Sequence, residues 1–241
     1  MASQPLMYGE LAAWWPLLSP PEDYADEAGY IAGLLREAGL REGGTLLELG
    51  CGGGHNAFHL RDHFQLTLTD ISEGMLAVSA ALNPACEHRL GDMRTLGLGK
   101  TFDAVLIHDA INYMVTKDDL KAALDTAASH LTPGGVLLLM PDNTAESFME
   151  KTTLGGHSEA ARGIRYLQWT HDPVPDDGQY MLDFAYILHH EDGRTVHLHD
   201  AHVCGVFERE EWLKALHAAG FEAQCIHDPW GRDLFLGARP S

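Results

Sequence analysis

The sequence predicts an α/β protein built on a mostly parallel sheet, with an antiparallel insertion late in the chain. Strand-length apolar segments alternate with segments of helical periodicity from residue 46 to residue 140, as in βαβ units. The first apolar segment ends at a cluster of glycines, which is typical of a strand turning tightly into a helix. After Pro141 the pattern changes to long alternating segments around Asp192-Gly193, a strong hairpin signal.

Each element of the first half has its own signal. Apolar residues at three- and four-residue spacing predict a helix over 22–38, which Gly39 ends. Asn83-Pro84 stops another helix, and Pro133-Gly134-Gly135 separates the last helix from the last strand. The segment 102–108 is mostly apolar, as expected for a strand covered on both faces. The expected order is helix 22–38, strand 46–49, helix 55–63, strand 66–69, helix 73–82, strand 87–90, strand 102–108, helix 117–131 and strand 136–140.

The second half of the chain has a different residue pattern. Residues 144–163 are polar and poorly periodic, and we expect a helix plus a loop there. Long strands are predicted over 180–190 and 194–207, then a helix over 207–219 closed by Gly220, and final strands over 221–226 and 233–236. We therefore predict a single domain over 1–241, divided into a cofactor-binding half (22–141), an insertion (142–207) and a final helix with two strands (208–241).

Composition excludes several classes of protein. A formal net charge of −19 repels nucleic-acid backbones and anionic lipid, so we expect neither a nucleic-acid nor a membrane partner. No apolar run approaches the ~20 residues of a membrane span, and the N-terminus lacks a secretory signal. The four cysteines stand singly, without a CxxC pair, which favours a reducing cytoplasm over a disulfide framework.

The turn after the first strand predicts a nucleoside site. It reads Glu48-Leu49-Gly50-Cys51-Gly52-Gly53-Gly54, and glycines at such a turn let a ligand approach the backbone closely. Dinucleotides and S-adenosylmethionine both use this turn. The third glycine of a dinucleotide fingerprint falls on His55 or Ala57, according to the alignment, so that rule is not cleanly met. The carboxylate of Glu48 suits the ammonium and sulfonium of S-adenosylmethionine better than a pyrophosphate.

Two further acidic residues complete the nucleoside site. Asp70 ends the second strand, where a carboxylate can accept from both ribose hydroxyls. Asp92, in Gly91-Asp92-Met93, offers an acceptor for the adenine amino group. Ile71 and Met93 each follow one of these carboxylates and could stack on the two faces of the base.

With these motifs the chain resembles the class I S-adenosylmethionine-dependent methyltransferases. The likeness covers residues 22–141 and includes Phe102-Asp103-Ala104-Val105 and Leu131-Thr132-Pro133-Gly134-Gly135. It implies a Rossmann-like methyltransferase fold with a seven-stranded sheet, and S-adenosyl-L-methionine as the cofactor. The cofactor-binding residues that it implies are Glu48, Gly50, Cys51, Gly52, Asp70, Ile71, Met75, Gly91, Asp92, Met93 and His108.

A narrower likeness extends to the end of the chain. The strand 199–207, the helix after it and the tail from Trp230 to Gly237 look like the small-molecule N-methyltransferases of nucleotide-linked amino sugars. In that family an antiparallel insertion builds the acceptor pocket and helps subunits meet, which implies a small-molecule acceptor and favours a homodimer. The family has a histidine near the acceptor amine shortly after the fourth strand, and this chain has Tyr113 there.

Methyl transfer from a sulfonium is an in-line displacement in which the protein mainly aligns and desolvates the reactants. Residues 108–113 leave the fourth strand at its carboxyl end, where α/β folds bind ligands. Asp109 is the predicted polar group nearest the methyl, holding an amine or accepting its proton, with His108 as the competing base and Tyr113 orienting the acceptor. Capping or structural hydrogen bonds are the alternative for Asp109 and His108. Tyr8, Trp14 and Trp15 form either a lid over the cofactor or part of the packed interior.

Three histidines near residue 200 raise the question of a metal. His197 and His199 share one strand face, and His202 falls on the other unless a bulge intervenes. Because no cysteine or carboxylate completes a ligand set, we predict no metal and a pocket, interface or plain strand role for these residues.

The sequence leaves several functions open. The leading interpretation is a methyltransferase acting on a small-molecule amine, and methylation of a phenol or alcohol oxygen is the nearest alternative. A nicotinamide-dependent dehydrogenase and a catalytically silent adenosyl-binding module are more remote. The acceptor itself is not specified.

Overall fold

The computed structural model describes residues 5–240, which contain two sheets. The prediction that the N-terminus carries no secretory signal rests partly on residues 1–4, which lie outside the described residues. The first sheet has seven strands in the order β11-β12-β5-β4-β1-β2-β3. They are β1 (Thr45–Leu49), β2 (Gln65–Asp70), β3 (Glu87–Leu90), β4 (Phe102–Ile107), β5 (Leu131–Leu139), β11 (Glu222–His227) and β12 (Asp233–Ala238). Strands β1 to β5 run parallel, and β12 and β11 are antiparallel to their neighbours, so the predicted Rossmann-like, mostly parallel sheet is confirmed.

Helices cover both faces of this sheet. The helices are α1 (Trp15–Leu18), α2 (Ala25–Glu37), α3 (His55–Leu60), α4 (Glu73–Leu82), α5 (Lys117–Ser129) and α6 (Arg209–Ala218). Leu46 on one face of β1 packs with the cluster under α2 and α3, and Leu47 on the other face packs with the cluster under α5 and α6. The central strands β1 and β4 are therefore buried on both sides along most of their length, as their mostly apolar sequences require.

Local side-chain bonds fix where helices begin. The Ser72 hydroxyl accepts from the backbone N–H of Met75 at 3.0 Å and starts α4, and Thr116 starts α5 in the same way. Both helices begin where the sequence indicated. The helix expected over 22–38 begins at Ala25, after a 3₁₀ turn over Pro21–Tyr24. The helix expected over 55–63 ends at Leu60, and β5 begins at Leu131, before the glycine pair.

The second sheet is antiparallel, in the order β10-β9-β8-β6, with a short strand β7 paired to β8. Its strands are β6 (Lys151–Gly155), β7 (Ser158–Glu159), β8 (Arg162–His171), β9 (Gln179–His189) and β10 (Thr195–Gly205). The hairpin at Asp192-Gly193 is confirmed as the connection of β9 to β10. In the described residues 5–240, no helix is both long and apolar enough to cross a bilayer.

The prediction of a helix plus a loop over 144–163 is wrong. Residues 151–155 form β6, which pairs antiparallel with β8, and β8 itself was not predicted. These strands look polar in sequence because they carry exposed polar residues, among them Thr152 on β6 and Arg165 on β8. Pairing with β9, which lies far along the chain, supplies the partners that local periodicity does not reveal.

Candidate active site

The carboxyl ends of the parallel strands form one edge of the seven-stranded sheet, and the predicted site residues lie there. Glu48 is the next-to-last residue of β1, Asp70 ends β2, Asp92 follows β3, and His108 and Asp109 follow β4. The inner face of the antiparallel sheet and the turns around Tyr8 enclose this edge. The site is thus a crevice at the strand ends, the usual ligand position in open α/β sheets.

The glycine turn after β1 leaves no room for side chains. Gly50 has φ of +78°, and a Cβ built on it would lie 2.3 Å from the Cβ of Ala110. Gly54, with φ of +74°, would meet the Ser79 hydroxyl at 2.3 Å. The backbone N–H of Gly52 donates to the Asp70 carboxylate at 2.8 Å, which ties the turn to the end of β2. The turn is a rigid backbone surface that a ligand can approach closely.

Glu48 is a buried carboxylate with an unfilled bonding site. Its side chain is 2% exposed, and its Oε2 has no hydrogen-bond partner in the described part of the chain. Burial, opposed by the charge of His108, raises the pKa of Glu48 to about 8. A buried carboxylate oxygen without a donor is an acceptor prepared for a ligand, and an ammonium group would relieve its cost.

Asp70 and Gly91 hold the second part of the crevice. The Asp70 carboxylate accepts from the N–H groups of Gly52 and Ser72, both at 2.8 Å, and burial raises its pKa. The N–H of Gly91 donates to the Asp70 carbonyl at 2.9 Å, so the two segments are adjacent. Ile71 is 61% exposed at this edge, and Met93 is half-buried, so both offer apolar surface beside the carboxylate.

Asp92 is engaged by a neighbour that the sequence analysis did not consider. Arg94 donates to both oxygens of the Asp92 carboxylate, with Nη2 2.6 Å from Oδ2, and Nη1 of the same side chain reaches Asp119 at 2.9 Å. This pairing lowers the pKa of Asp92. The carboxylate is therefore ionised and fixed in place, able to accept one more donor at the edge.

Other residues of the predicted cofactor set lie beneath the turn. The Cys51 side chain is buried, 3.9 Å from the Ser79 hydroxyl, so only its backbone faces the crevice. Met75 is 1% exposed, and its Cε would lie 3.5 Å from a Cβ on Gly52, so it supports the turn from below.

These residues fit S-adenosylmethionine. The unfilled oxygen of Glu48 suits its ammonium group, the glycine backbone admits its amino-acid portion, and the acidic and apolar groups at residues 70–71 and 92–93 suit ribose and adenine. When bound there, the cofactor supplies an electrophilic methyl group and a good leaving group.

A cavity of about 310 Å³ adjoins this crevice beneath the antiparallel sheet. Its aromatic walls include Tyr8, Tyr166 and Phe184. Its polar lining residues include Asp109, Asn112, Tyr113, Asp142, Lys151 and His202. The cavity therefore combines apolar walls with two carboxylates, an environment suited to a small molecule that carries an amine.

His108 is clamped between two carboxylates. Its Nδ1 lies 2.8 Å from Oδ1 of Asp109, and its Nε2 lies 3.1 Å from Oε2 of Glu27. Burial alone would lower the pKa of His108, but the two carboxylates outweigh it and hold the pKa well above its usual range. The two carboxylates therefore favour the charged imidazolium, which has no free lone pair to accept a proton. This pairing disfavours His108 as a base, and that role stays a prediction.

The other end of this cluster is anchored by an arginine. Arg232, in the loop before β12, contacts Glu27 and also lies 2.7 Å from Asp228. Burial would raise the pKa of Glu27, but His108 and Arg232 lower it to about 2. Glu27 and Arg232, which the sequence analysis did not single out, thus keep His108 in place.

Tyr113 belongs to a buried hydrogen-bonded group. Its hydroxyl donates to the Tyr8 hydroxyl at 2.9 Å and lies 2.7 Å from Nδ1 of His202. Nε2 of His202 lies 3.2 Å from the Asp200 carboxylate, which also accepts from the N–H groups of Leu6 and Met7 at 3.0 and 2.9 Å. Since an ionised carboxylate only accepts, Nε2 carries a proton. His202 and Asp200 therefore connect Tyr113 to the N-terminal turns.

The other two histidines near residue 200, His197 and His199, lie away from the cavity. The register of β10 is regular, so His197 and His199 lie on the exposed face and His202 on the buried face, as the strand spacing predicted. Nε2 of His199 lies 2.6 Å from Asp183. Among residues 5–240, no group of three or more His, Cys, Asp or Glu side chains is arranged to hold a metal ion.

The three N-terminal aromatic residues divide between the two proposed roles. Tyr8 and Trp15 line the cavity, and a Cβ on Gly53 would lie 2.4 Å from Cδ1 of Trp15, so this indole lies against the glycine turn. Trp14 is buried and packs against His190 and Arg162. Tyr8 and Trp15 thus cover the site, and Trp14 belongs to the packed interior.

Asn112 and Asp142 also escaped the sequence analysis. The Asn112 amide donates to Oδ2 of Asp142 at 2.8 Å, and the Asp142 N–H donates back to Oδ1 of Asn112 at 3.2 Å. Asp142 follows β5, the strand next to β4, so its position at the cavity could be inferred from strand order. No local motif marks it.

Known proteins resemble both the sequence and this arrangement. Residues 46–135 match a methyltransferase domain family. The dTDP-3-amino-3,6-dideoxy-alpha-D-glucopyranose N,N-dimethyltransferase of Streptomyces fradiae is 30% identical over 95% of this chain and 91% of its own length. The crystal structure of Streptomyces venezuelae DesVI has a TM-score of 0.81 at 29% identity, over 91% of this chain and 92% of that one. SAM-bound CalS10, an amino pentose methyltransferase of Micromonospora echinaspora, has a TM-score of 0.77 at 28% identity, over 90% of this chain and 91% of that one.

Proposed function

This chain belongs to the class I S-adenosylmethionine-dependent methyltransferases and transfers a methyl group to a small-molecule amine, and we propose that the amine is carried by a nucleotide-linked amino sugar. Relatives that align along nearly the whole chain act on dTDP-linked amino sugars. The observation that carries the proposal is the cavity, which places Asp109 and Asp142 beside the cofactor crevice. Carboxylates in an apolar, aromatic cavity favour an ammonium over a neutral hydroxyl.

We propose these positions for the cofactor. Glu48 binds the ammonium group of S-adenosylmethionine, the backbone of the glycine turn contacts its amino-acid portion, and Asp70 accepts from the ribose hydroxyls. Asp92 and Met93 bind adenine, with Ile71 on the exposed side. The adjacency of these groups supports the assignment, because Asp70 is hydrogen-bonded to both Gly52 and Gly91.

We propose that Asp109 and Tyr113 position the acceptor. Asp109 is fixed by the protonated His108 and can accept from an ammonium or an adjacent hydroxyl, and the Tyr113 ring forms part of the wall. Orienting the amine toward the methyl supplies most of the rate enhancement, on the order of 7–11 kcal/mol in favourable cases. Burial raises the pKa of Tyr113 well above its usual range, so its phenol stays neutral while it does so.

Paired acceptors test this function. We expect release of S-adenosylhomocysteine with dTDP-3-amino-3,6-dideoxy-α-D-glucopyranose, and turnover at least about 100-fold lower with the same sugar nucleotide bearing a 3-hydroxyl, because an oxygen must lose a proton before it can attack effectively. Product analysis by mass spectrometry and NMR locates the methyl. Equal turnover of the two acceptors, or a methyl on oxygen, would contradict amine specificity.

We further propose that the protein is a homodimer in the cytoplasm. The four cysteines of the chain are free thiols, which supports a reducing compartment. The outer face of the antiparallel sheet exposes several large apolar side chains, which together form the apolar patch. The patch consists of Leu154, Leu167, Trp169, Ile187 and Val203. An exposed apolar patch of this kind is typical of a protein interface.

Light scattering after gel filtration tests the homodimer. We expect twice the mass of one chain for the natural protein and the mass of one chain for Leu167→Asp, since a buried charge at the interface is costly. Asp62→Asn, a change at an exposed residue outside the patch, is the control. A natural protein that is monomeric at all concentrations would overturn the assignment.

A further inference from the structure

We propose that Asp142 is the catalytic residue that accepts a proton from the ammonium form of the acceptor amine, and this rests on the function proposed above. Asp142 follows β5 and lines the cavity together with Asp109, Asn112 and Tyr113. Its described hydrogen bond engages Oδ2 alone, through the Asn112 amide, which leaves Oδ1 able to meet a ligand.

The two carboxylates of the cavity differ in how their charge is balanced. Asp109 lies 2.8 Å from the protonated imidazole of His108, so its charge is already neutralised by a cation. Asp142 has a neutral amide as its described side-chain partner. A cation beside a carboxylate stabilises its charged form, whereas a buried carboxylate whose hydrogen-bond partner is a neutral amide takes a proton more readily. The geometry therefore separates an anchoring carboxylate from a proton-accepting one.

The electrostatic surroundings agree with this separation. Burial is the main cause, and the negative charge of Asp109 adds to it, so that the pKa of Asp142 is raised to about 7. His108, Arg232 and Lys151 act in the opposite direction. Tyr8, Tyr24, Tyr113, Tyr180 and Cys204 also face Asp142, and all have raised pKa values, so they remain neutral near pH 7.

A primary amine enters as R–NH₃⁺, and one N–H bond breaks as its proton moves to Oδ1 of Asp142, which leaves R–NH₂ with a free electron pair. That pair forms the N–CH₃ bond as the C–S bond of the methyl donor breaks, its electrons remaining on sulfur in the thioether product. The product R–NH₂⁺–CH₃ carries the positive charge, and the protonated Asp142 releases its proton to solvent when the site opens. For a second methylation, Asp142 would take the next proton from this product.

Replacing the carboxylate by its amide isolates the proton-accepting role. Asp142→Asn keeps the shape and can still accept from the Asn112 amide, so we expect it to fold and to bind S-adenosylmethionine within about 3-fold of the natural protein. With dTDP-3-amino-3,6-dideoxy-α-D-glucopyranose we expect kcat/KM at pH 7 to fall by about 10²–10⁴-fold, the usual contribution of a general base. The ratio of kcat/KM for the natural protein to kcat/KM for the variant should fall toward 1 as the pH rises above the pKa of the substrate amine, because the amine then arrives neutral.

A control variant and a substrate-independent readout complete the test. Asp62→Asn removes the same charge at an exposed residue and should retain the natural rate. Infrared difference titration of the natural protein against Asp142→Asn should show a carboxyl that titrates near neutral pH. A deficit that is the same at every pH, a variant with natural activity, or a carboxyl that titrates near pH 4 would each overturn the proposal. If the sugar nucleotide is not turned over at all, the proposed acceptor fails and the infrared titration alone decides the role of Asp142.

Discussion

Glu48→Gln is expected to weaken the binding of S-adenosylmethionine by about 10- to 100-fold, while it stabilises the free protein at pH 8. The loss of affinity reflects a charged hydrogen bond to the ammonium group, worth about 1.5–3 kcal/mol. The gain in stability arises because Glu48 is a buried carboxylate whose Oε2 has no partner in the described chain. Glutamine retains its shape without the charge.

The pH dependence of this effect has a definite sign. The pKa of Glu48 is raised to about 8 in the folded protein, above its value in the unfolded chain, so folding favours the protonated form. Its unfavourable contribution is absent below about pH 4.5, grows by up to about 1.4 kcal/mol per pH unit, and levels off above pH 8. The natural protein should therefore lose stability relative to Glu48→Gln as the pH rises from 5 to 8.

Denaturant unfolding of both proteins across this pH range measures the difference directly, and calorimetric titration gives the affinities. Because both proteins share every other titratable group, subtraction isolates Glu48. Parallel stability profiles together with equal affinities would show that this side chain is neither strained nor used for the cofactor.

Asp70→Ala is expected to weaken S-adenosylmethionine binding by at least about 100-fold, the largest effect among the cofactor residues. Two charge-assisted bonds to ribose hydroxyls are lost, each worth about 1.5–3 kcal/mol. The carboxylate also holds the glycine turn through the N–H of Gly52 and the next helix through Ser72. Removing the carboxylate therefore loosens the glycine turn and also removes the contact with the ribose.

A matched control separates the two consequences. Asp103 also accepts from a neighbouring strand, taking the N–H and hydroxyl of Thr45 at 2.9 and 2.8 Å, but it lies at the amino end of the sheet. Asp103→Ala should cost stability and leave the affinity unchanged. Asp70→Asn, which keeps one acceptor oxygen, should bind with intermediate affinity. Equal dissociation constants for Asp70→Ala and the natural protein would exclude Asp70 from the cofactor site.

The cofactor half of the fold could be predicted because its signals are local. An apolar run covered on both faces and a glycine turn each act within a few residues of sequence. The strands β6 and β8 escaped prediction because their stability comes from pairing with each other and with β9. Their sequences alternate weakly, since Gln168 and Thr170 face the cavity and offer no apolar stripe.

The cavity residues were also only partly predictable from local sequence. Asp109 and Tyr113, which line the cavity, could be singled out as candidates because they follow a strand whose end was recognisable. Asp142 and His202 reach the cavity from strands that only the assembled topology brings together. The imidazole of His202 in particular lies 2.7 Å from the hydroxyl of Tyr113, which is 89 residues away in the sequence. Spacing along β10 predicted its face but not its partner.

A crystal structure with S-adenosylhomocysteine and dTDP-3-amino-3,6-dideoxy-α-D-glucopyranose tests the central claim most directly. We expect the ammonium of the cofactor product on Glu48, its ribose on Asp70, and the sugar nitrogen in the cavity within hydrogen-bond distance of Asp142. A sugar nitrogen bound outside the cavity, or an adenosine that contacts neither Asp70 nor Asp92, would contradict the account.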